Sequence, residues 1–66
     1  MELTVNGAGR QLPEGTTIVD LLREFARSTE GVAVAVDAEI VHRGDWDRCV
    51  LHDGQQVELI TALQGG

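Results

Sequence analysis

The chemistry this chain could do is concentrated at its C-terminus, where an apolar run, Val57-Glu58-Leu59-Ile60-Thr61-Ala62-Leu63-Gln64, leads into Gly65-Gly66. Glycine has no Cβ, so a Gly-Gly end can adopt conformations closed to other residues and lie in a slit too narrow for a side chain. The one reactive group there is the Gly66 carboxylate, a poor electrophile until it is activated. Fully extended, residues 62–66 reach about 17 Å at about 3.3–3.6 Å per residue, enough to carry that carboxylate into another protein's active site. A frayed terminus is the competing reading, because chain ends are commonly disordered.

Other reactive side chains carry weaker signals. His42, Cys49 and His52 match no metal-ligand spacing and there is no CxxC pair, so no metal site is expected. Cys49 reads as a small buried apolar residue. Asn6-Gly7-Ala8-Gly9-Arg10 lacks the spacing and the lysine of a phosphate-binding loop and reads as a turn. Arg23, Glu24 and Arg27 read as solvated helix charges.

Composition narrows the function classes. A chain of 66 residues makes one small domain that buries only about 60% of its unfolded surface, leaving no room for a deep active site. With one cysteine no intramolecular disulfide forms, and Met1-Glu2-Leu3-Thr4-Val5-Asn6 is a strand pattern rather than a signal peptide, so a cytoplasmic protein is expected. No apolar run approaches the roughly 18 residues of a membrane span. Five arginines and no lysine stand against 11 acids, for a net charge of −6. Nucleic acid and membrane are therefore poor partners, and a basic protein surface is a better one. The α-amino group is the only primary amine, so an activated terminal carboxyl would find no lysine of its own chain to acylate.

The elements that must position the tail follow from periodicity. Leu3 and Val5 alternate with polar residues as in a half-buried strand, Gly7-Ala8-Gly9 turns the chain, and Arg10-Gln11-Leu12 returns as a second strand closed by Pro13-Glu14-Gly15. Thr17 is spaced to cap a helix with Asp20 as its reciprocal partner, and Ile18, Leu21, Leu22 and Phe25 form one apolar stripe. Ser28-Thr29-Glu30-Gly31 ends that helix, with Gly31 as a left-handed cap. In Val32-Ala33-Val34-Ala35-Val36 the valines face the helix, while Ala33 and Ala35 leave the opposite face small and apolar, a surface for a partner. Asp37-Ala38 turns into a strand over 39–43, Gly44 to Arg48 is an irregular or single-turn segment with Trp46 anchored at the core's edge, and His52-Asp53-Gly54 turns into a last strand over 55–63. The predicted core is Val5, Leu21, Leu22, Phe25, Val34, Val36, Ile40 and Leu59. The predicted partner-binding residues are Ala33 and Ala35 on the sheet, and Ala62, Leu63, Gln64 and Gly65 before the reacting Gly66.

These residues together define a resemblance. Val5-Asn6-Gly7, Thr17-Ile18-Val19-Asp20-Leu21-Leu22, Gly31 to Val36, Glu39-Ile40-Val41 with Arg43, Asp53-Gly54, Val57-Glu58-Leu59-Ile60 and Ala62 to Gly66 resemble the ThiS family, the sulfur carriers of thiamine biosynthesis. The resemblance implies an α+β, ubiquitin-like β-grasp fold, a mixed sheet with one main helix across one face, spanning 1–61, followed by a flexible tail over 62–66. It also implies a carrier rather than an enzyme. An activating enzyme resembling that of ubiquitin (ThiF type) would adenylate the Gly66 carboxylate with ATP, no cofactor being bound by the carrier itself. Sulfur from a persulfide, supplied through a donor such as a cysteine desulfurase, would displace AMP. The resulting thiocarboxylate would serve thiazole synthase (ThiG type). Carriers for molybdopterin synthesis, tRNA thiolation or cysteine synthesis share such a tail, and a non-covalent ubiquitin-like interaction domain is the reading from a different class. Three positions depart from the family pattern. Asp37-Ala38 replaces the usual Asn-Gly and should disfavour a tight type I′ turn. His42 stands where proline is common, and Gln55 where an acid often follows Asp-Gly.

Overall fold

The first hairpin is set by Asn6-Gly7. Both residues are left-handed, at φ 52 and 82, the pair of conformations that a two-residue type I′ turn needs and that Asn-Gly supplies with least strain. In the computed structural model, which describes residues 1–26 and 30–61, β1 (Glu2–Val5) and β2 (Ala8–Gln11) therefore pair from Val5 opposite Ala8 to Glu2 opposite Gln11. The turn is earlier and tighter than Gly7-Ala8-Gly9, and β2 ends at Gln11 rather than Leu12. Once Asn6 and Gly7 have reversed the chain, Ala8 is already free to pair.

Thr17 then starts helix α1 (Ile18–Phe25) through a complete capping box. The Thr17 N–H donates to Asp20 Oδ2 at 3.1 Å and the Asp20 N–H donates to Thr17 Oγ1 at 3.2 Å, satisfying two of the donors a helix start leaves open. The helix ends at Ala26, whose backbone is extended. Gly31 has the expected left-handed φ of 71, but it turns the chain into β3 (Val32–Val36) instead of capping the helix. Arg27, Ser28 and Thr29 lie outside the described residues.

Beyond β3 come β4 (Glu39–Val41), a short 3-10 turn (Arg43–Asp45) and β5 (Gln56–Thr61). The sheet runs β2-β1-β5-β3-β4, with β1 and β5 parallel and the other neighbours antiparallel. The last strand thus lies in the middle. Against the expectation for Asp37-Ala38, both residues adopt the left-handed conformation of a type I′ turn, at φ 51 and 71. Asp37 is held there by β5, its N–H donating to Gln56 O at 2.7 Å and its Oδ1 accepting from Gln56 N–H at 3.0 Å. Ala38 has no such side-chain bond and keeps a conformation that costs an L-residue with a Cβ about 1–2 kcal/mol.

The core joins Leu3, Val5, Ile18, Leu21, Leu22, Val34, Val36, Trp46, Leu51 and Val57. Trp46 is buried and its Nε1–H donates to Val41 O at 2.9 Å. Two predicted core residues, Phe25 and Ile40, fall elsewhere, and a third, Leu59, packs against the core without being fully buried. Phe25 is 36% exposed because the helix stops there; the Arg10 guanidinium lies 5.0 Å from its ring centroid. Ile40 is 59% exposed, since its register opposite Ala35 puts it on the face away from the helix. Leu59 is half-buried.

Two stability predictions follow from this packing. Leu22→Ala should cost about 2–5 kcal/mol, whereas Phe25→Ala, losing a partly wet ring, should cost about 1–2 kcal/mol, both read from denaturant midpoints. Ala38→Gly should stabilise the domain by about 1 kcal/mol, raising its thermal midpoint, because glycine relieves the left-handed strain.

Candidate functional site

The reacting end predicted from the sequence, Gly66, and the residues leading to it, Ala62, Leu63, Gln64 and Gly65, lie outside the described residues. What the structure describes is the platform from which they follow. β5 pairs with β3 over its upper five residues, from Val36 opposite Val57 to Val32 opposite Thr61. On its other side β1 reaches only as far as Val5 opposite Val57. Beyond that point Asn6 takes over: its N–H donates to Val57 O at 2.9 Å and its Oδ1 accepts from Leu59 N–H at 2.8 Å. A cavity of about 390 Å³ opens at the same end, bounded by Asn6, Phe25, Val32, Leu59 and Thr61, where the helix has ended and the sheet runs on.

Alternation divides β5 between two faces. Val57 and Leu59 point to the helix side; Glu58 and Ile60 point away, Ile60 opposite Ala33 and Glu58 opposite Ala35. Ala33 and Ala35 do share the outer face, as expected, but only Ala33 is exposed. Ala35 is 5% exposed. Its single methyl group lies on an inner strand between the longer side chains of Glu58 and Ile40 opposite it, and such cross-strand neighbours cover a small residue.

The apolar surface that a partner could meet is supplied instead by Ile40 and Ile60, the latter 48% exposed. The sequence reading names neither as a partner surface, having placed Ile40 in the core. The signal that would have found Ile40 is the two-residue turn at Asp37-Ala38, which makes Val36 face Glu39 and Ala35 face Ile40. Of the outward carboxylates on the strands, Glu58 lies beside these isoleucines, opposite Ala35, while Glu2 lies at the other end of the sheet, towards Gly9 of β2. The described arginines stand elsewhere: Arg10 over Phe25, Arg23 at 3.8 Å from Asp20, Arg43 over Trp46 and Arg48 at 2.7 Å from Asp45. The outer face is apolar at Ile40, Ile60 and Ala33, with Glu58 beside them.

The remaining candidates are not gathered into a site. His42 and His52 are exposed and Cys49 is half-buried, and among the described residues no group of three His, Cys, Asp or Glu side chains converges. Burial, and secondarily the nearby Asp45 carboxylate, push the Cys49 thiol pKa up, which keeps it protonated and weakly nucleophilic at neutral pH. His42 has φ −70 and ψ 147, a backbone that proline also adopts. Gln55 Oε1 accepts the His52 N–H at 2.7 Å, so an amide oxygen closes a turn in which the family more often places an acid. No helix among the described residues is long and apolar enough to cross a membrane.

A mixed sheet with its last strand central and one helix laid across one face is the ubiquitin-like β-grasp arrangement. The sequence model of the ThiS family matches residues 2–66, and the chain belongs to the ThiS family. It is 30% identical over 66 residues to the sulfur carrier protein ThiS of Escherichia coli, covering the whole of both chains. A thiazole synthase of Paramagnetospirillum magneticum is also 30% identical over 66 residues, all of this chain but only 20% of that protein. Among solved structures, the crystal structure of thiamine biosynthesis protein ThiS from Geobacter metallireducens superposes with a TM-score of 0.86 at 30% identity, again covering both chains completely.

The thiol offers a direct check. At pH 8, Cys49 in the folded protein should react with iodoacetamide more slowly than a free cysteine-containing peptide, and the gap should close only as pH rises through the raised thiol pKa. Mass spectrometry of the alkylated protein against pH reads this.

Proposed function

We propose that this chain is a sulfur carrier of thiamine biosynthesis, a protein co-substrate rather than a catalyst, whose reacting group is the Gly66 carboxylate. The observation that carries this reading is the end-to-end similarity to a sulfur carrier protein, which spans the whole of both chains and includes Gly65-Gly66 within the family match. Its chemistry is consistent with the residues. An activating enzyme would let the carboxylate attack the α-phosphate of ATP, forming an acyl adenylate and releasing pyrophosphate. The terminal sulfur of a persulfide would then attack the carbonyl and expel AMP. A thiol would cleave the resulting acyl disulfide, leaving the thiocarboxylate on Gly66 and a disulfide on the donor. ATP is thus used by the partner, and the carrier binds no cofactor of its own; the reading places both in the cytoplasm.

Thiazole synthase is the receiver this reading favours, because proteins bearing that name contain a stretch similar to this entire chain. Such a fusion supports a carrier and its acceptor working as a pair. An adenylating enzyme of the ubiquitin-activating kind and a persulfide donor such as a cysteine desulfurase complete the proposal. The outer face around Ile40, Ile60 and Ala33 would meet these enzymes while residues 62–66 enter their active sites. Glu58 beside it suits a partner patch that carries Arg or Lys.

Deleting Gly66 should abolish sulfur uptake while leaving stability within about 0.5 kcal/mol, and Gly65→Val should fail similarly because a branched side chain blocks a glycine-width channel. The assay supplies ATP, activating enzyme and persulfide donor and follows intact mass for the replacement of one oxygen by sulfur. Sulfur acquired by the shortened chain, or found on Cys49, would overturn the mechanism. Ile60→Glu should keep the fold and weaken complex formation by about 1–2 kcal/mol, measured by calorimetry against the activating enzyme.

A further inference from the structure

The strand that leads into the tail is not equally supported along its length. Its first half is flanked by β1 and β3; its second half, Glu58 to Thr61, is paired along β3 but has outrun β1. A half-strand with one free side can swing about its remaining neighbour. At this point the structure places a side chain where the sheet would otherwise need more backbone.

In a parallel ladder, a residue donates its N–H to one residue of the neighbouring strand and accepts with its C=O from the residue two further on. Asn6 does the first with its main chain, donating to Val57 O at 2.9 Å. The second bond, from the Leu59 N–H, is accepted at 2.8 Å by the Asn6 side-chain Oδ1. A residue at φ 52 has left the strand conformation, so the side-chain amide oxygen stands in for the main-chain acceptor. The ladder gains one rung past the end of β1 while the chain is already turning into β2. Asn6 meets both demands, since its short polar side chain tolerates the left-handed region and carries an acceptor at the required reach.

Resting on the carrier reading above, we infer that Asn6 is a positioning residue for sulfur transfer: its side chain pins Leu59 and so fixes the direction in which Thr61 hands the chain to the reacting tail. An enzyme that draws a glycine tail into a narrow channel needs the carrier seated and the tail aimed at once. Where the root of the tail swings, that order is imposed during binding, and the effect falls on KM for the carrier rather than on kcat.

Asp37 supplies the control, because its Oδ1 makes an equivalent bond to Gln56 N–H at 3.0 Å, at the far end of the same strand from the tail. Asn6→Gly keeps a residue suited to φ above zero and removes only the acceptor; Asn6→Asp restores an acceptor oxygen at the same reach; Asp37→Gly removes the corresponding bond away from the tail. Amide hydrogen exchange at Leu59 should be about 5-fold or more faster in Asn6→Gly, the worth of one hydrogen bond. With ATP, activating enzyme and persulfide donor, KM for that variant should rise by a similar factor of about 5 with kcat retained. Asn6→Asp should return both to near the parent values, and Asp37→Gly should lose comparable thermal stability without moving KM. Unchanged Leu59 exchange or an unchanged KM in Asn6→Gly, or an equal rise in KM in Asp37→Gly, would overturn the inference. A parent chain that takes up no sulfur would sink the carrier reading instead, and Leu59 exchange would still decide whether the side chain pins the strand.

Discussion

The whole molecule depends on the insertion of its last strand into the middle of the sheet. β5 joins two halves that are otherwise separate hairpins, β1 with β2 and β3 with β4. Its contacts span most of the chain, as between Leu59 and Asn6 at a sequence separation of 53, so the sheet closes only when the end of the chain arrives. Such non-local pairing slows folding relative to local helix contacts. The same arrangement holds β5 between two strands through Val57 and along β3 alone from there to Thr61, with Asn6 bonded to Leu59 on the other side.

Stability and chemistry are thereby kept in different places. The core lies between the helix and the inner sheet face, held by Leu21, Leu22, Val34, Leu51 and Val57, all close to fully buried. In β5 full burial ends at Val57, and Glu58, Ile60 and Thr61 beyond it are exposed. Charge is divided in the same way. The described arginines are engaged within the fold, on aromatic rings or beside aspartates, while the outer face keeps Glu58 beside its isoleucines. For a chain of net charge −6, this leaves an acidic surface ready to steer towards a basic partner.

The departures from the family pattern show how backbone geometry survives changes of side chain. At Asp37-Ala38 the turn is kept because Asp37 bonds to β5 on both its N–H and its carboxylate, and the strain falls on Ala38 alone. At His42 the φ, ψ pair is one that proline shares. At Gln55 a neutral oxygen accepts the bond that an acid could also accept. In each case the fold specifies an angle or an acceptor rather than a residue.

Much of this was written in local sequence, for the reason that local features need no partner. The capping box at Thr17 and Asp20, the apolar stripe Ile18-Leu21-Leu22 and the alternating valines of β3 depend on near neighbours, and the Gly65-Gly66 end and the absence of lysine are properties of composition. The exposure of Phe25, the outward turn of Ile40 and the burial of Ala35 were not legible in this way. Each depends on where an element stops or on which residue stands opposite across a strand boundary: the helix ends at Phe25, and the register of the Asp37-Ala38 hairpin sets Ile40 beside Ala35. Asn6 is the sharpest instance. Its Asn-Gly dipeptide announces a turn by sequence alone, but that its amide oxygen completes a ladder with Leu59 follows only once the last strand has come to lie beside the first, because the two residues meet through tertiary pairing and nothing in their local sequence relates them.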